Sequence, residues 1–203
     1  MHLRTVYATG DPALIDSALD ALTAEAPGLL APQPGYQGFG LFADRELGKI
    51  VMGSWWETEE DQQASDLRLR DRRTALLGPF ASSIATDVWE AAVYTPPARL
   101  GAGAGFRMLR FDFDPASAEQ MITAARESVL PALRETPGFE SFTLLVDRAA
   151  GRGSAGALHT DRAALVASRG PSAAVRAAGV PRTGVVIRSL EEFEAVLLHR
   201  PEG

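Results

Sequence analysis

The chain is predicted to be α+β, two consecutive β-α-β-β-α-β repeats, on three observations. Residues 34–48 read PGYQGFGLFADRELG and residues 137–151 read PGFESFTLLVDRAAG, a spacing of 137 − 34 = 103. At that offset the chain aligns with itself without a gap from Arg4/Arg107 to Ser65/Ser168. Within each copy, apolar residues alternate as in strands or recur at helical spacing, in the same order. A period near 100 is too long for a solenoid unit and suits a small domain. The expected organisation is a domain over 1–95, a Pro/Gly/Ala linker over 96–105 and a second domain over 106–203.

Each element has a local reason. Residues 3–9 (LRTVYAT) form a short strand. Asp11-Pro12 then suits an N-cap followed by proline in the first helical turn. Leu14, Ile15, Ala18, Leu19 and Leu22 fall on one helical face, and Pro27-Gly28 is expected to close that helix. Residues 36–43 and 49–56 read as a hairpin around Asp44-Arg45-Glu46-Leu47-Gly48. Thr58-Glu59-Glu60-Asp61 places acids at the positive end of a second helix, which runs to about Gly78-Pro79. Residues 87–94 supply a fourth strand. The second copy repeats the order, with strand 106–113, the Asp114-Pro115 cap, hairpin 139–146/152–159, and a helix from Thr160-Asp161 expected to break at Gly170-Pro171. Residues 184–198 provide the closing strand or strands.

That order is the ferredoxin-like arrangement. Two helices cover one sheet face, and apolar residues on the other face need a partner. The second copy is the expected partner, packed sheet to sheet as an intramolecular pseudo-dimer. The chain is thus expected to be a monomer, with further homodimerisation open.

Composition narrows the function classes. Hydrophobic content of 46% and charged content of 23% are ordinary for a globular protein and argue against disorder. A formal charge of −6 supplies no global field toward nucleic acid or anionic lipid. The chain has no cysteine, which removes disulfides, thiolate nucleophiles and cysteine–zinc sites. Three scattered histidines lack metal-ligand spacing, so no metal is expected. No signal peptide or 18-residue apolar span is read, and a cytoplasmic location is the default. GAGAG at 101–105 precedes a strand instead of a helix, so it reads as linker and not as a dinucleotide fingerprint.

The run PGYQGFGLFADRELGKIVMGSWWETEEDQQAS resembles the signature of antibiotic-biosynthesis-monooxygenase-like domains, members of the dimeric α/β-barrel superfamily. The second copy keeps Pro137-Gly138-Phe139, Asp147-Arg148 and Gly151 but has Leu158-His159-Thr160-Asp161 in place of WWET. The resemblance implies a tandem fusion forming a pseudo-dimeric α/β barrel. It also implies a cofactor-independent monooxygenase acting on a small aromatic or polyketide-type molecule, with neither metal nor flavin. Departures are specific. The chain contains no asparagine, which both the haem-degrading branch and the quinone-forming monooxygenase site use. Ser65 and Ser168 stand where haem degraders carry a tryptophan. The alternative is a non-catalytic small-ligand-binding or structural barrel.

Candidate site residues follow, each with a plain structural alternative. Trp55 and Trp56 point to opposite faces, and Trp56 in the helix–sheet cleft could stack on a flat substrate or serve as core. Tyr36 and Tyr7 are further candidate wall residues. His159 replaces Trp56 in the second copy (56 + 103) and is a candidate general base, or a hydrogen-bonded structural histidine. Arg4 and Arg107 match on the first strands; they could orient an anionic or enolate substrate or form a repeated ion pair. His2 and His199 are expected to be exposed near the termini. The basic run Arg68–Arg73 reads as a solvated helix surface, and Asp44-Arg45 and Asp147-Arg148 as turn chemistry.

Overall fold

The structure, a computed structural model, describes residues 1–201. It contains β1 (His2–Gly10), α1 (Ile15–Leu30), β2 (Tyr36–Asp44), β3 (Lys49–Trp56), α2 (Glu59–Leu77) and β4 (Ala81–Thr95). The order then repeats as β5 (Gly105–Asp112), α3 (Ala118–Ala124) continuing through a π-helical turn (Ala125–Val129) into α4 (Leu130–Arg134), β6 (Phe139–Asp147), β7 (Arg152–His159), α5 (Arg162–Ala167), α6 (Arg169–Thr183) and β8 (Val186–His199). Both copies are ferredoxin-like β-α-β-β-α-β units. The strands hydrogen-bond in the order β1-β3-β2-β8-β5-β7-β6-β4, which closes on itself as an eight-stranded antiparallel barrel.

Two compact units divide the chain. One comprises Met1–Trp89, Arg99–Ala102 and the chain from Ala195 onward; the other comprises Glu90–Ala98 and Gly103–Glu194. In the first unit β3 lies between β1 and β2, with Arg4 opposite Ser54 and Phe39 opposite Ser54. In the second, β7 lies between β5 and β6, with Arg107 and Phe142 both opposite Ala157. The core of the first unit packs Ile15, Leu19 and Leu22 of α1 on Val6, Leu41, Ile50 and Trp56 of the sheet. That of the second packs Met121, Ile122 and Leu133 on Phe111, Phe142 and Leu144.

The repeated residues act as turns and caps. Asp11 and Asp114 accept from the amides of Ala13 (2.9 Å) and Ala116 (3.0 Å), each before a proline that has no N–H to satisfy. Thr58 and Asp161 cap α2 and α5 through the amides of Asp61 and Ala164. Gly48 and Gly151 end the hairpin turns at φ of +60° and +63°, a left-handed conformation costly for other residues.

Three boundaries differ from the sequence-based expectation. α1 continues past Pro27-Gly28 to Leu30, because the Ala31 amide bonds the Pro27 carbonyl and Leu30 is buried in the core. That burial offsets the one backbone bond a helical proline forfeits. The second-copy helix breaks at Ser168, not at Gly170-Pro171. Pro171 falls in the first turn of α6, where an N–H has no intrahelical partner. β4 is longer than expected, starting at Ala81.

At Gly151 a Cβ would lie 2.5 Å from the Phe113 carbonyl oxygen, with φ already positive. Gly151→Ala is expected to lower the unfolding free energy by about 1–3 kcal/mol, measured by urea titration of tryptophan fluorescence. Gly170→Ala, which meets nothing within 4 Å, is expected to stay within about 0.5 kcal/mol of the parent.

Candidate functional site

Each copy buries an arginine on its first strand and satisfies it from the helix that follows the hairpin. Arg4, 4% exposed, donates from Nη1 to Ser65 Oγ at 3.0 Å and lies 3.4 Å from Asp66. Arg107, 6% exposed, donates from Nη1 to Ser168 Oγ at 3.0 Å and Ser172 Oγ at 2.9 Å. Its Nη2 reaches the Leu165 carbonyl (2.9 Å) and Glu192 (2.7 Å), and its Nε also reaches Glu192 at 3.1 Å. A guanidinium has five N–H donors, and all five of Arg107 are engaged. Ser65 and Ser168 each donate to a carbonyl three residues back, Gln62 and Leu165.

Electrostatics follow this geometry. Burial, with the like charge of Arg73, lowers Arg4 to about 10 against the pull of Asp66, so it stays protonated at neutral pH. Burial by itself would raise the Asp66 carboxyl, but hydrogen bonds from Arg70 and Arg73 hold it below its usual range. Glu192 is likewise pushed up by burial and held down overall by Arg169 and Arg107.

His159 is wholly buried and joins this cluster. Its Nδ1 lies 3.1 Å from the Pro137 carbonyl, which can only accept, so Nδ1 carries the proton in the neutral ring. Nε2 then lies 3.4 Å from Ser168 Oγ. Burial lowers its pKa; the Pro137 contact opposes this and the Arg107 charge reinforces it. His159 Nε2 and Arg107 Nη1 both lie against Ser168 Oγ, but the Ser168 hydroxyl hydrogen goes to the Leu165 carbonyl, so the imidazole receives no hydrogen bond from it.

In the first copy, Trp56 replaces the histidine. Its Nε1 donates to Ser54 Oγ at 3.0 Å, the Arg4 guanidinium carbon lies 5.6 Å from its ring centroid, and Tyr36 meets it edge-on at 5.8 Å. Burial pushes the Tyr36 phenol up. Tyr36 also bonds His199 Nδ1 at 2.9 Å. The expectation of an exposed His199 therefore fails: β8 extends to that residue and sets it, half-buried, against Tyr36. His2 is also half-buried, since β1 starts there and pairs with Trp56. Tyr7 lies one residue from Val6 on β1 and so faces away from Arg4, Val6 and the α1 core.

Each unit holds a cavity between its sheet and helices. The first is about 60 Å³ and is lined by Arg4, Val6, Leu22, Phe39, Met52, Ser54, Leu69, Arg73 and Leu76 among others. The second is about 120 Å³. At the offset of 103, the second wall has Arg107, Phe142 and Arg176 in place of Arg4, Phe39 and Arg73, is slightly larger where Val6 becomes Leu109 and Ala26 becomes Val129, and is trimmed at other positions. Leu22 becomes Ala125, Met52 Ala155, Ser54 Ala157, Leu69 Ser172 and Leu76 Gly179. Four large-to-small changes around one space, at Ala125, Ala155, Ser172 and Gly179, outweigh the enlargements at Leu109 and Val129 and account for the larger volume, because packed surroundings relax only partly into such gaps. The π-helical turn at Ala125–Val129 borders the same space. Pro131, lacking an N–H for the regular ladder, lies two residues beyond it. Neither Trp56, Tyr36 and Tyr7 nor His159 lines either cavity. The missed residues are Arg176, which repeats Arg73, and the small residues of the same wall, whose signal in the sequence is the difference in size between the two copies. Among the described residues no group of three His, Cys, Asp or Glu side chains converges.

An unfolded histidine titrates near 6.5, and the folded His159 lower, so the unfolded chain binds more protons as pH falls. Its contribution to stability is full above about pH 6.5 and is lost on acidification toward the folded value. Melting temperature is expected to drop between about pH 7.5 and about pH 5.5, and the drop to shrink in His159→Phe.

No family model matches the chain. It is similar to the "Uncharacterized protein Rv2557" of Mycobacterium tuberculosis (strain ATCC 25618 / H37Rv), 31% identical over 165 residues that cover 81% of this chain and 74% of that protein. Among solved structures, a "Putative monooxygenase" from Fusobacterium nucleatum superposes with a TM-score of 0.74 at 9% identity, over 100% of this chain and 95% of that one. An anthrone oxidase-like protein superposes with 0.68 at 15% identity, over 98% and 91%. At such identities the likeness establishes the fold alone and leaves chemistry to the site. Identity sustained over most of both sequences makes this chain a member of the family of the Mycobacterium tuberculosis protein Rv2557.

Proposed function

We propose that this protein binds a small, mostly apolar molecule, aromatic or polyketide-like, in the cavity of its second copy. The observation that carries this reading is the selective trimming of one wall. The same positions fill the first cavity with Leu22, Met52, Leu69 and Leu76, and leave the second open with Ala125, Ala155, Ser172 and Gly179. An apolar cavity with a few polar groups at its edge is the usual form of a small-molecule site. Leaving it empty costs stability, and a ligand recovers that cost.

Cofactor-independent oxygenation of the bound molecule is the second reading. It is favoured by the proximity of a neutral imidazole to a cation on the cavity wall: His159 Nε2 lies 3.4 Å from Ser168 Oγ, the oxygen that accepts from Arg107 Nη1. In that reading the positive charge favours a phenolate or enolate, His159 serves as proton acceptor, and the electron-rich anion reacts with oxygen directly. Trp56, Tyr36, Tyr7 and Arg4 would then belong to the first copy, whose smaller space serves as scaffold.

A neutral probe, N-phenyl-1-naphthylamine, is expected to gain fluorescence with the protein. Gly179→Leu, which restores the first-copy residue, is expected to abolish that gain at unchanged folding. Oxygen uptake with dihydroxynaphthalenes tests the chemistry. Turnover that falls by about 10²-fold or more in His159→Ala supports it, and absence of turnover in the intact protein leaves ligand binding as the function.

A further inference from the structure

We infer that the second cavity selects anions: its ligand is a small apolar carboxylate, with Arg176 as the residue that receives the negative group. This rests on the proposed use of that cavity and adds the charge of the occupant.

The argument comes from comparing two arginines at the same repeat position, 73 + 103 = 176, each lining its own cavity. In the first copy one carboxylate serves the site. Asp66 lies 2.8 Å from Arg73, 2.6 Å from Arg70 and 3.4 Å from Arg4, so Arg73 is ion-paired in place. At the position of Asp66 the second copy has a base, Arg169 (66 + 103). The carboxylate comes from β8 instead, as Glu192, and is bonded to Arg107 at 2.7 Å and Arg169 at 2.6 Å. Arg176 is left over. Among the described residues it makes no hydrogen bond or ion pair, although it is half-buried against the cavity.

An unpaired guanidinium beside Val175, Val180 and Val129 is costly, since it loses water and gains no counter-charge. Burial and the neighbouring charge of Arg107 both make its cationic form less comfortable, while Glu192 opposes them. Arg107 cannot serve an incoming anion, because its five donors are taken. Arg176 offers all of its own, in a planar fork suited to bidentate binding of a carboxylate. Ser172 lines the same wall but its oxygen already accepts from Arg107, which leaves its O–H as a further donor. Apart from Thr183, whose hydroxyl donates to the Gly179 carbonyl at 3.0 Å, the remaining lining is apolar, so the ligand's body is apolar.

Calorimetric titration of the intact protein with 2-naphthoate and with neutral, isosteric 2-naphthamide tests this. The acid is expected to bind at least about tenfold tighter, with an advantage that shrinks as salt rises. Arg176→Gln is expected to bring the acid down to the amide's affinity, and Arg176→Lys to recover part of the difference. Melting curves confirm that both variants fold. Equal affinity for acid and amide, or an unchanged preference in Arg176→Gln, overturns anion selection and leaves the cavity reading standing. If neither compound binds, or if Gly179→Leu alters neither affinity, both readings fall.

Discussion

The buried arginine on the first strand of each copy is the constraint around which the rest is arranged. A guanidinium that loses its water must be repaid by hydrogen bonds and counter-charge, and removing its partners leaves an uncompensated charge inside. Both copies meet that demand through a serine 61 positions downstream, Ser65 for Arg4 and Ser168 for Arg107. The bond ties the first strand to the helix beyond the hairpin, across the whole unit. Ser168 sits where α5 ends and α6 begins, so the helical break coincides with the residue the arginine holds.

Around that shared clamp the copies have separated in role. The first is packed: Trp56 is fully buried between Arg4 and Tyr36, and Met52 and Leu69 narrow its cavity. The second has exchanged tryptophan for histidine and large aliphatic residues for alanine, serine and glycine. Once one copy keeps a dense core, the other can carry a stability cost without loss of the fold. The carboxylate has moved as well, from Asp66 on the helix to Glu192 on β8, and with it the balance of charge beside the cavity.

Much of this was legible in the repeat. Asp11/Asp114, Gly48/Gly151 and Thr58/Asp161 encode turns and caps by local chemistry, so their positions can be read without knowing what packs where. Pro27 misled for the same reason. Its local signal ends a helix, whereas burial of Leu30 decides otherwise. Tyr36 and His199 lie 163 residues apart, and no short-range pattern joins them. The large-to-small differences were visible residue by residue, but nothing in the linear order says that Ala125, Ala155, Ser172 and Gly179 surround one space.

Sequence alone determined two ferredoxin-like copies, their element order, their caps and turns, and the matched arginines, because each follows from periodicity or from a residue's own conformational limits. The tertiary structure decided which side chains share a cavity, which arginine keeps a free set of donors, and which imidazole nitrogen carries the proton. Those properties belong to pairs and groups of residues brought together from distant strands and helices, and burial assigns their cost only after the chain has folded.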